Sequence, residues 1–448
     1  MINTLIHGFF DDAGVLFADK LGESSHFNIV HWVGHVDDQN GRRKFDCYIV
    51  DQHIGKLHSG DYEYDSVCWA EVCRNKKQIL KEMIRHHYIS ALEDSIIDHL
   101  IFNRMCYYRW LLNSKNVDLV VFGNIPHEGF DTILYRVAIA MGIKVRIFFN
   151  IPAQYMKVIS RVEDVGTLDG SVGSSEATQY DLSKVCSLDY MVGATRGNQK
   201  YYQEKIYHKL LLPLSKALGL KSRLLRWLYS GSGLDRHELK VYCKFRKQLL
   251  RATSCRIPFK KFVYLPLHLQ PEMTTCALGG DYDDQALMVE HLREWLPDEY
   301  GIVLKENPKQ GKRFPHAADR LYRTNNFFKR IKKLPMTCIV PQETDSIELI
   351  KKSAFTVTVT GTAGFEALLQ GKNCLVFGLA WYRKVHGIHE WQSNPRFEQL
   401  LEGVNKQKLM IDCSRHFNAC INLIELSSEQ TASEYMRHIL FSLNQNVT

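Results

Sequence analysis

The chain has 448 residues, too many for a single hydrophobic core, so we expect at least two domains. Its 45% hydrophobic and 24% charged residues are ordinary for a globular protein, and no apolar run reaches the roughly 18 residues that a membrane-spanning helix needs. The first residues, MINTLIHGFFDDAG, lack a basic start and soon reach acidic residues, so we expect no secretory signal.

The N-terminal half predicts an α/β domain over residues 1–165. Strand-like apolar runs occur at 27–34, 46–50, 117–123 and 143–149. The stretch from Lys76 to Leu112 has apolar residues at helical spacing and predicts helix.

The middle of the chain, residues 166–260, predicts a linker or insertion. It begins with a Gly/Ser-rich run at 166–179 and continues into a basic segment, residues 196–261, with 17 Lys and Arg against 3 acidic residues, a local balance of +14. The whole chain carries +8, so the remainder is about −6. The segment indicates an anionic partner, which would be either a membrane surface or an acidic glycan. The alternative is a helical insertion whose charges are only solvated.

The C-terminal half alternates short apolar runs with helical stretches. The runs are KFVYLPL, GIVL, TCIV, FTVTV and CLVF, and the alternation predicts a parallel, doubly wound sheet covered on both faces over residues 261–425. A C-terminal helix is expected over 426–448. The twelve cysteines include no CxxC pair, and several lie inside these runs, such as Cys338 and Cys374. We expect them to be small buried side chains in a reducing cytoplasm, not disulfides or zinc ligands.

Ligands of such sheets bind outside the carboxyl ends of the strands, and all five runs are followed there by polar or glycine-rich loops. TGTAG is the most suggestive of these loops. Gly361 and Gly364 allow tight turns, and the helix beginning near Ala363 directs free N–H groups at the loop. We therefore expect a phosphate to contact Thr360, Gly361, Thr362, Ala363 and Gly364.

Glu366 would then accept hydrogen bonds from ribose hydroxyls, or it would only complement the helix dipole. Lys305 and Asn307 follow the second strand, where Lys305 would neutralise a phosphate or form a surface pair with Glu306. Asp345 is expected to cap the next helix, with Ser346 reaching a base or ribose. Gln270 and Glu272, after the first strand, are further candidate ligand contacts.

Acid and base candidates follow the strand at 117–123. His127, Glu128 and Asp131 lie in PHEGFD, and any of them would take a proton from an attacking hydroxyl or stabilise positive charge on a sugar. The alternative is that Asp131 caps a helix and His127 is a loop residue. Asp11, Asp12, His31 and His35 are the next candidates.

TVTGTAGFEALLQGKNCLVFGLAWY, with KENP and TDSIELI upstream, resembles the bacterial capsule polysaccharide biosynthesis and export family, which includes capsule Kdo transferases. The resemblance covers residues 261–390 best and 118–165 more weakly. It implies a GT-B-like fold: two Rossmann-like domains with parallel doubly wound sheets facing a cleft, and a nucleotide-sugar held mainly by the second. It implies no metal and no cofactor beyond the donor substrate.

The sequence departs from this family at one element. Kdo transferases of the family carry a Lys…His-Pro element after the second strand, and this chain has Lys305-Glu306-Asn307-Pro308 there. The departure puts a CMP-Kdo donor in doubt and leaves the family resemblance intact.

The resemblance implies a glycosyltransferase that moves a sugar from a nucleotide-activated donor, CMP-Kdo or a related one, to a capsule, polysaccharide or lipid-linked acceptor. The expected location is cytoplasmic, with peripheral inner-membrane contact through residues 196–261 and no nucleic-acid partner. Two alternatives stay open. One is a non-catalytic partner in polysaccharide assembly or export, and the other is a GT-B sugar-nucleotide epimerase or hydrolase.

Overall fold

The computed structural model describes residues 1–9, 11–33, 47–48, 62–85, 94–151, 155–168, 236–254, 256–310, 321–423 and 426–444. Most of the predicted Gly/Ser-rich run, the basic residues 196–235, part of the predicted helix at 76–112 and His35 lie outside the described residues.

The elements are listed here in chain order. The first part of the chain contains β1 (Ile2–His7), α1 (Asp12–Glu23), β2 (Phe27–Val33), β3 (Cys47–Tyr48), α2 (Ser66–Arg74), α3 (Lys76–Arg85), α4 (Asp94–Ser114), β4 (Leu119–Phe122), α5 (Phe130–Ala140), β5 (Lys144–Ile151) and β6 (Tyr155–Ile159). The rest contains α6 (Arg236–Ala252), β7 (Lys261–Pro266), α7 (Met273–Cys276), α8 (Gln285–Trp295), β8 (Tyr300–Lys305), α9 (Asn325–Lys333), β9 (Thr337–Val340), α10 (Ser346–Lys352), β10 (Thr356–Thr358), α11 (Ala363–Leu369), β11 (Cys374–Val376), β12 (Ile388–Glu390), α12 (Phe397–Leu401), α13 (Lys406–Asn418), β13 (Ile421–Asn422) and α14 (Ser428–Asn444).

The described residues fall into two compact units. The N-terminal unit lies within Met1–Tyr180, Cys276–Gly280 and Asp412–Thr448, and the C-terminal unit lies within Asp181–Thr275 and Asp281–Ile411. The end of the chain, from Asp412, thus joins the N-terminal unit, whereas the sequence boundaries placed residues up to 425 in the C-terminal domain.

The N-terminal unit is built on a seven-stranded sheet in the order β13-β6-β5-β4-β1-β2-β3. Strands β1 to β5 run parallel to one another, while β6 runs antiparallel to β5 and to β13. The chain leaves β1 on one side towards β2 and β3, then returns to β4 on the other side. The loops after β1 and β4 therefore meet at the point where the strand order reverses, which is the usual ligand position of such sheets.

Helix α14 closes one face of this sheet. It packs against α1, and the rings of Phe9, Phe17, Phe148 and Tyr435 form a buried cluster with centroids 4.9–6.3 Å apart. Helix α5 packs against α2, α3 and α4. The side chain of Asp11, one of the further acid and base candidates, accepts the N–H of Gly14 and caps α1.

The C-terminal unit has six strands, all parallel, in the order β12-β11-β10-β7-β8-β9. All six residues of β8 are buried, as expected of a strand covered on both faces. The order reverses between β7 and β10, so the loops after these two strands define the ligand position.

Two layers of helices cover this sheet. Helices α6, α8 and α9 share a core with one face of the strands through Phe245, Val289 and Phe328, among others. Helices α10 and α11 pack on the other face through Leu349, Ile350 and Ala367.

The predicted fold class, an α/β protein with two Rossmann-like domains on largely parallel sheets, is confirmed. Every predicted strand run contains an observed strand, and Cys338 and Cys374 are buried in β9 and β11. Strands β1, β6, β12 and β13 were not predicted. Among the described residues, no helix combines the length and apolarity needed to cross a bilayer.

Candidate functional site

The reversal point of the C-terminal sheet is organised around His268, which sequence analysis did not single out. Its Nε2 lies 2.8 Å from Oγ1 of Thr358 and accepts the N–H of Thr360 at 3.3 Å. Thr358 Oγ1 in turn accepts the N–H of Gly361 at 3.1 Å, so its hydroxyl proton is directed at His268. Burial, and next the Arg323 guanidinium, lowers the pKa of His268 to about 4. A neutral histidine therefore fixes the loop after β10.

The glycines of the predicted phosphate loop are required by protein packing. A Cβ on Gly361 would lie 2.9 Å from Thr358 Oγ1 and 3.0 Å from the His268 ring. A Cβ on Gly364 would overlap the Tyr382 hydroxyl and lie 2.8 Å from Cys374 Sγ. The Tyr382 hydroxyl itself donates to the Gly361 carbonyl. The glycines let the loop lie close to the strands, a different reason from the ligand approach predicted above.

Two amides and one carboxylate remain available at this loop. The backbone N–H groups of Thr362 and Ala363 donate to none of the described residues, and Thr362 makes no side-chain cap. The partly exposed Glu366 side chain accepts no hydrogen bond in the part of the chain that the structure describes. Burial raises the pKa of Glu366, and the nearby Lys305 ammonium opposes the shift. Because α11 has only seven residues, the loop amides matter more here than the helix dipole that was predicted to help.

Lys305 is buried rather than paired at the surface. It is 6% exposed, and its Nζ donates to the Thr344 carbonyl at 2.6 Å and to Ser346 Oγ at 2.7 Å. Because Lys305 and Glu306 are both buried, they do not form the surface pair that was the alternative to a phosphate contact. Asp345 caps α10 by accepting from the N–H groups of Ile347 and Glu348, as predicted. Lys305 thus ties together the loops after β8 and β9 and places a positive charge near Glu366.

Gln270 belongs to a buried ion-pair network. Arg323, 1% exposed, donates to Glu306 from Nε at 2.7 Å and to Gln270 Oε1 from Nη1 at 2.7 Å. Gln270 Nε2 donates to the Asp283 carbonyl, and its backbone exchanges hydrogen bonds with Gln310. Gln270 is completely buried, so the structure assigns it to shaping the loop and not to the ligand contact that was expected.

The remaining predicted ligand residues differ in how far their side chains are exposed to solvent. Glu272, Asn307 and Ser346 are partly exposed at the same strand edge. Thr360 is buried, and its Oγ1 donates to the Thr274 carbonyl at 2.6 Å, so it holds the loop instead of facing a ligand.

In the N-terminal unit, Asp131 has the structural role named as the alternative. Its Oδ1 accepts the N–H groups of Glu128 and Thr132 at 2.7 Å, and its Oδ2 accepts that of His127 at 2.8 Å. The residue is 5% exposed. Because three amides occupy the carboxylate, Asp131 fixes the PHEGFD turn.

His127 and His7 lie together at the reversal point of this sheet. His127 Nδ1 is 2.5 Å from the Ile125 carbonyl, which fixes the proton on Nδ1 and makes Nε2 the basic nitrogen. His7 ends β1 beside β4, its ring centroid 5.4 Å from that of Phe122. Burial is the main cause that lowers the pKa of both His7 and His127. Both rings are therefore neutral near pH 7, as a proton acceptor must be.

A second carboxyl group, Glu82 of α3, lies beneath these residues. It is fully buried and accepts from Thr132 Oγ1 at 2.6 Å and Gln78 Nε2 at 2.8 Å. Burial, and next the Asp131 carboxylate, raises the pKa of Glu82 to about 8. His31 is buried within β2. Neither His7 nor Glu82 was predicted. Position at the end of a strand could have identified His7, whereas Glu82 gave no signal in the sequence.

Comparisons with known proteins agree with the sequence resemblance over the C-terminal unit. Residues 258–421 match the family model described as capsule polysaccharide biosynthesis protein. No curated protein matches the chain.

Solved structures with low similarity include two annotated transferases and an epimerase. The Thermosulfurimonas dismutans KpsC beta Kdo 2,7 transferase is 13% identical, with 86% of this chain and 98% of that one covered, at a TM-score of 0.34. The beta Kdo 2,4 transferase of the same KpsC is 15% identical, with 68% of this chain and 79% of that one covered, at a TM-score of 0.30. A Methanocaldococcus jannaschii UDP-GlcNAc 2-epimerase is 10% identical, with 98% of this chain and 100% of that one covered, at a TM-score of 0.24.

At such identities and TM-scores, the functional argument has to come from the family match and the residues themselves. The match extends beyond the stretch 261–390, over which the resemblance was strongest, and includes β7 to β12. Residues 258–421 of this chain are therefore similar to the capsule polysaccharide biosynthesis protein family.

Proposed function

We propose that the protein is a glycosyltransferase of surface-polysaccharide synthesis. It moves a sugar from a nucleotide-activated donor, CMP-Kdo or a related nucleotide sugar, to a capsule polysaccharide or glycolipid acceptor. The family match supports the pathway, and the two strand edges described above supply groups suited to binding and to proton transfer.

One observation carries this proposal. At the reversal point of the C-terminal sheet, the unused N–H groups of Thr362 and Ala363 lie in the loop that leads to the half-buried Glu366 carboxylate. Amide donors suit phosphate oxygens, and a carboxylate acceptor suits ribose hydroxyls. Lys305, held by Ser346 and Thr344, adds positive charge without being free to move.

In the proposed reaction, the acceptor hydroxyl oxygen forms a bond to the anomeric carbon of the sugar. The bond from that carbon to the donor phosphate oxygen breaks, and its electron pair leaves with the nucleotide. The hydroxyl proton passes to a base in the N-terminal unit. His127 is the proposed base, with Glu128 beside it and Asp131 fixing the turn that carries both.

The experiment is a binding screen of CMP, UDP and GDP and their sugars by calorimetry, comparing parent, Glu366→Gln and Glu348→Gln. The exposed side chain of Glu348 on α10 serves as a matched control. Loss of a charge-assisted hydrogen bond to ribose is expected to weaken the preferred nucleotide about tenfold in Glu366→Gln only. Equal affinities in all three proteins would remove Glu366 from the site.

Acceptor dependence separates the proposal from its alternatives. A transferase releases nucleotide from the donor faster when a polysaccharide or lipid-linked acceptor is added. A hydrolase or epimerase turns over its donor at the same rate without acceptor, and a non-catalytic assembly partner binds none of the nucleotides. Either of the last two results would overturn the proposal.

A further inference from the structure

Helices α6 and α9 of the C-terminal unit each expose a row of cations. On α6 the exposed residues include Lys240, Lys247 and Arg251, whose spacing of seven and four residues puts them on one side of the helix. On α9, Lys329 and Lys333 are exposed and four residues apart. We call these five residues the α6–α9 surface.

The two rows lie side by side. The rings of Phe245 on α6 and Phe328 on α9 are 6.2 Å apart in the shared core, and both helices cover the same face of the sheet. Lys332 Nζ donates to the Arg251 carbonyl at 2.7 Å and joins the end of α6 to α9. Since the apolar sides of both helices face one core, their cationic sides face outward together.

These charges are not neutralised within the described residues. None of the five has an acidic partner there, whereas Arg330, on the same helix α9, binds both Asp284 and Glu290. Like charges this close repel one another, and an external anionic surface relieves the repulsion. The row therefore differs from an ordinary solvated helix face, on which acidic residues are interspersed.

We propose that the α6–α9 surface docks the protein on an anionic lipid bilayer. Four of the five cations are lysines, point charges without the fixed fork with which arginine recognises one carboxylate or phosphate, and such charges suit a fluid array of headgroups. Leu250 is 65% exposed beside Arg251, and Met336, just beyond α9, is 36% exposed. Apolar side chains among cations are typical of helices that lie in a membrane interface.

Membrane docking rests on the proposed function only for its biological role, because a lipid-linked acceptor would be presented at such a membrane. It adds α9 to the basic segment that the sequence indicated. It also identifies the part of the protein that contacts the membrane, namely the α6–α9 surface.

The test is co-sedimentation of the full chain with vesicles of phosphatidylcholine alone or mixed with phosphatidylglycerol, at low and high salt. Binding is expected only to the anionic vesicles, and weaker at high salt. Lys329→Gln with Lys333→Gln is expected to reduce partitioning about 25-fold, since each cation near the surface contributes about fivefold. Leu250→Ser is expected to reduce the binding that survives high salt.

The matched control is Lys351→Gln with Lys352→Gln, an equal charge change on α10, on the opposite face of the same sheet. Equal losses in the two double variants, or equal binding of the parent to neutral vesicles, would overturn the assignment. Binding to heparin without binding to vesicles would overturn it in favour of an acidic glycan. Nucleotide affinity, measured on the same preparations, reports on the proposed function separately.

Discussion

The strand edges of the two units use their polar groups in opposite ways. In the C-terminal unit, Arg323, Glu306 and Lys305 are buried and bonded to one another's loops, so that few groups remain for a ligand. In the N-terminal unit, the histidines His7 and His127 are partly exposed and have lowered pKa values. An edge with buried, fixed donors suits binding, while an edge with partly exposed neutral histidines suits proton transfer.

This difference makes the units separable by mutation. Changes at the C-terminal edge should act through stability or affinity. Changes at the N-terminal edge should act on turnover and leave the fold intact.

The largest effect is expected from His127→Gln. Removing a positioned base lowers turnover about 10²- to 10⁴-fold, while nucleotide affinity stays near that of the parent. Single-turnover transfer with saturating donor measures the first quantity, and calorimetry measures the second. His7→Gln belongs in the same series, because its ring lies beside the PHEGFD turn. Parental rates in both variants would place the base elsewhere, with Glu128→Gln as the next variant to test.

Glu306→Gln should destabilise the C-terminal unit by about 3–5 kcal/mol, because it leaves the buried Arg323 guanidinium without its counter-charge. Urea unfolding measures the loss. Glu290→Gln is the control, since its pair with Arg330 is 28% exposed and should contribute only about 0–1 kcal/mol. Similar losses in both variants would contradict the special role given to the buried network.

Acid should weaken the C-terminal unit through His268. The pKa of His268 is about 4 in the folded protein against 6.5 for an ordinary histidine, so between these values the unfolded chain binds the extra proton. The free energy of unfolding therefore falls as the pH drops through that window, by at most about 3 kcal/mol. Hydrogen exchange of the backbone amides in the strands of the C-terminal unit measures this fall in the free energy of unfolding. In His268→Gln this contribution to the slope should vanish, and an unchanged slope would show that other groups cause it.

The smallest effect is expected from Gly364→Ala, whose new methyl group meets Tyr382. Overpacking should cost about 1–3 kcal/mol, and less in a Tyr382→Phe background, where the hydroxyl is gone. Gly403→Ala is the control, because nothing lies within 4 Å of the added carbon. Urea unfolding of the four members of the cycle gives the coupling. Additive losses would mean that the loop relaxes away from Tyr382.

The parallel strands of the C-terminal unit were predictable because burial on both faces requires uninterrupted apolar runs, such as TCIV for β9. Strand β12, Ile388–Glu390, was missed because its three residues are only partly buried and two of them, His389 and Glu390, carry polar side chains. Strand β1 was missed because the polar residues Asn3 and Thr4 interrupt its apolar residues. That omission also concealed His7.

The candidate site was predictable in position but less so in the roles of its residues. The TGTAG loop and PHEGFD do follow strands at the expected edges. The sequence could not show that the Gln270 side chain would accept a hydrogen bond from Arg323, because the two residues are 53 positions apart and meet only through folding. It could not show the buried partner of Thr132, Glu82, for the same reason.

The packing of α14 on α1 has a consequence for synthesis. A ribosome makes Phe9 and Phe17 first, yet the ring that completes their cluster belongs to Tyr435, near the end of the chain. The described C-terminal unit ends at Ile411 and has all its strands before α14 emerges. The unit made first is therefore the one that finishes folding later, and truncation before α14 would leave the rings of Phe9 and Phe17 uncovered.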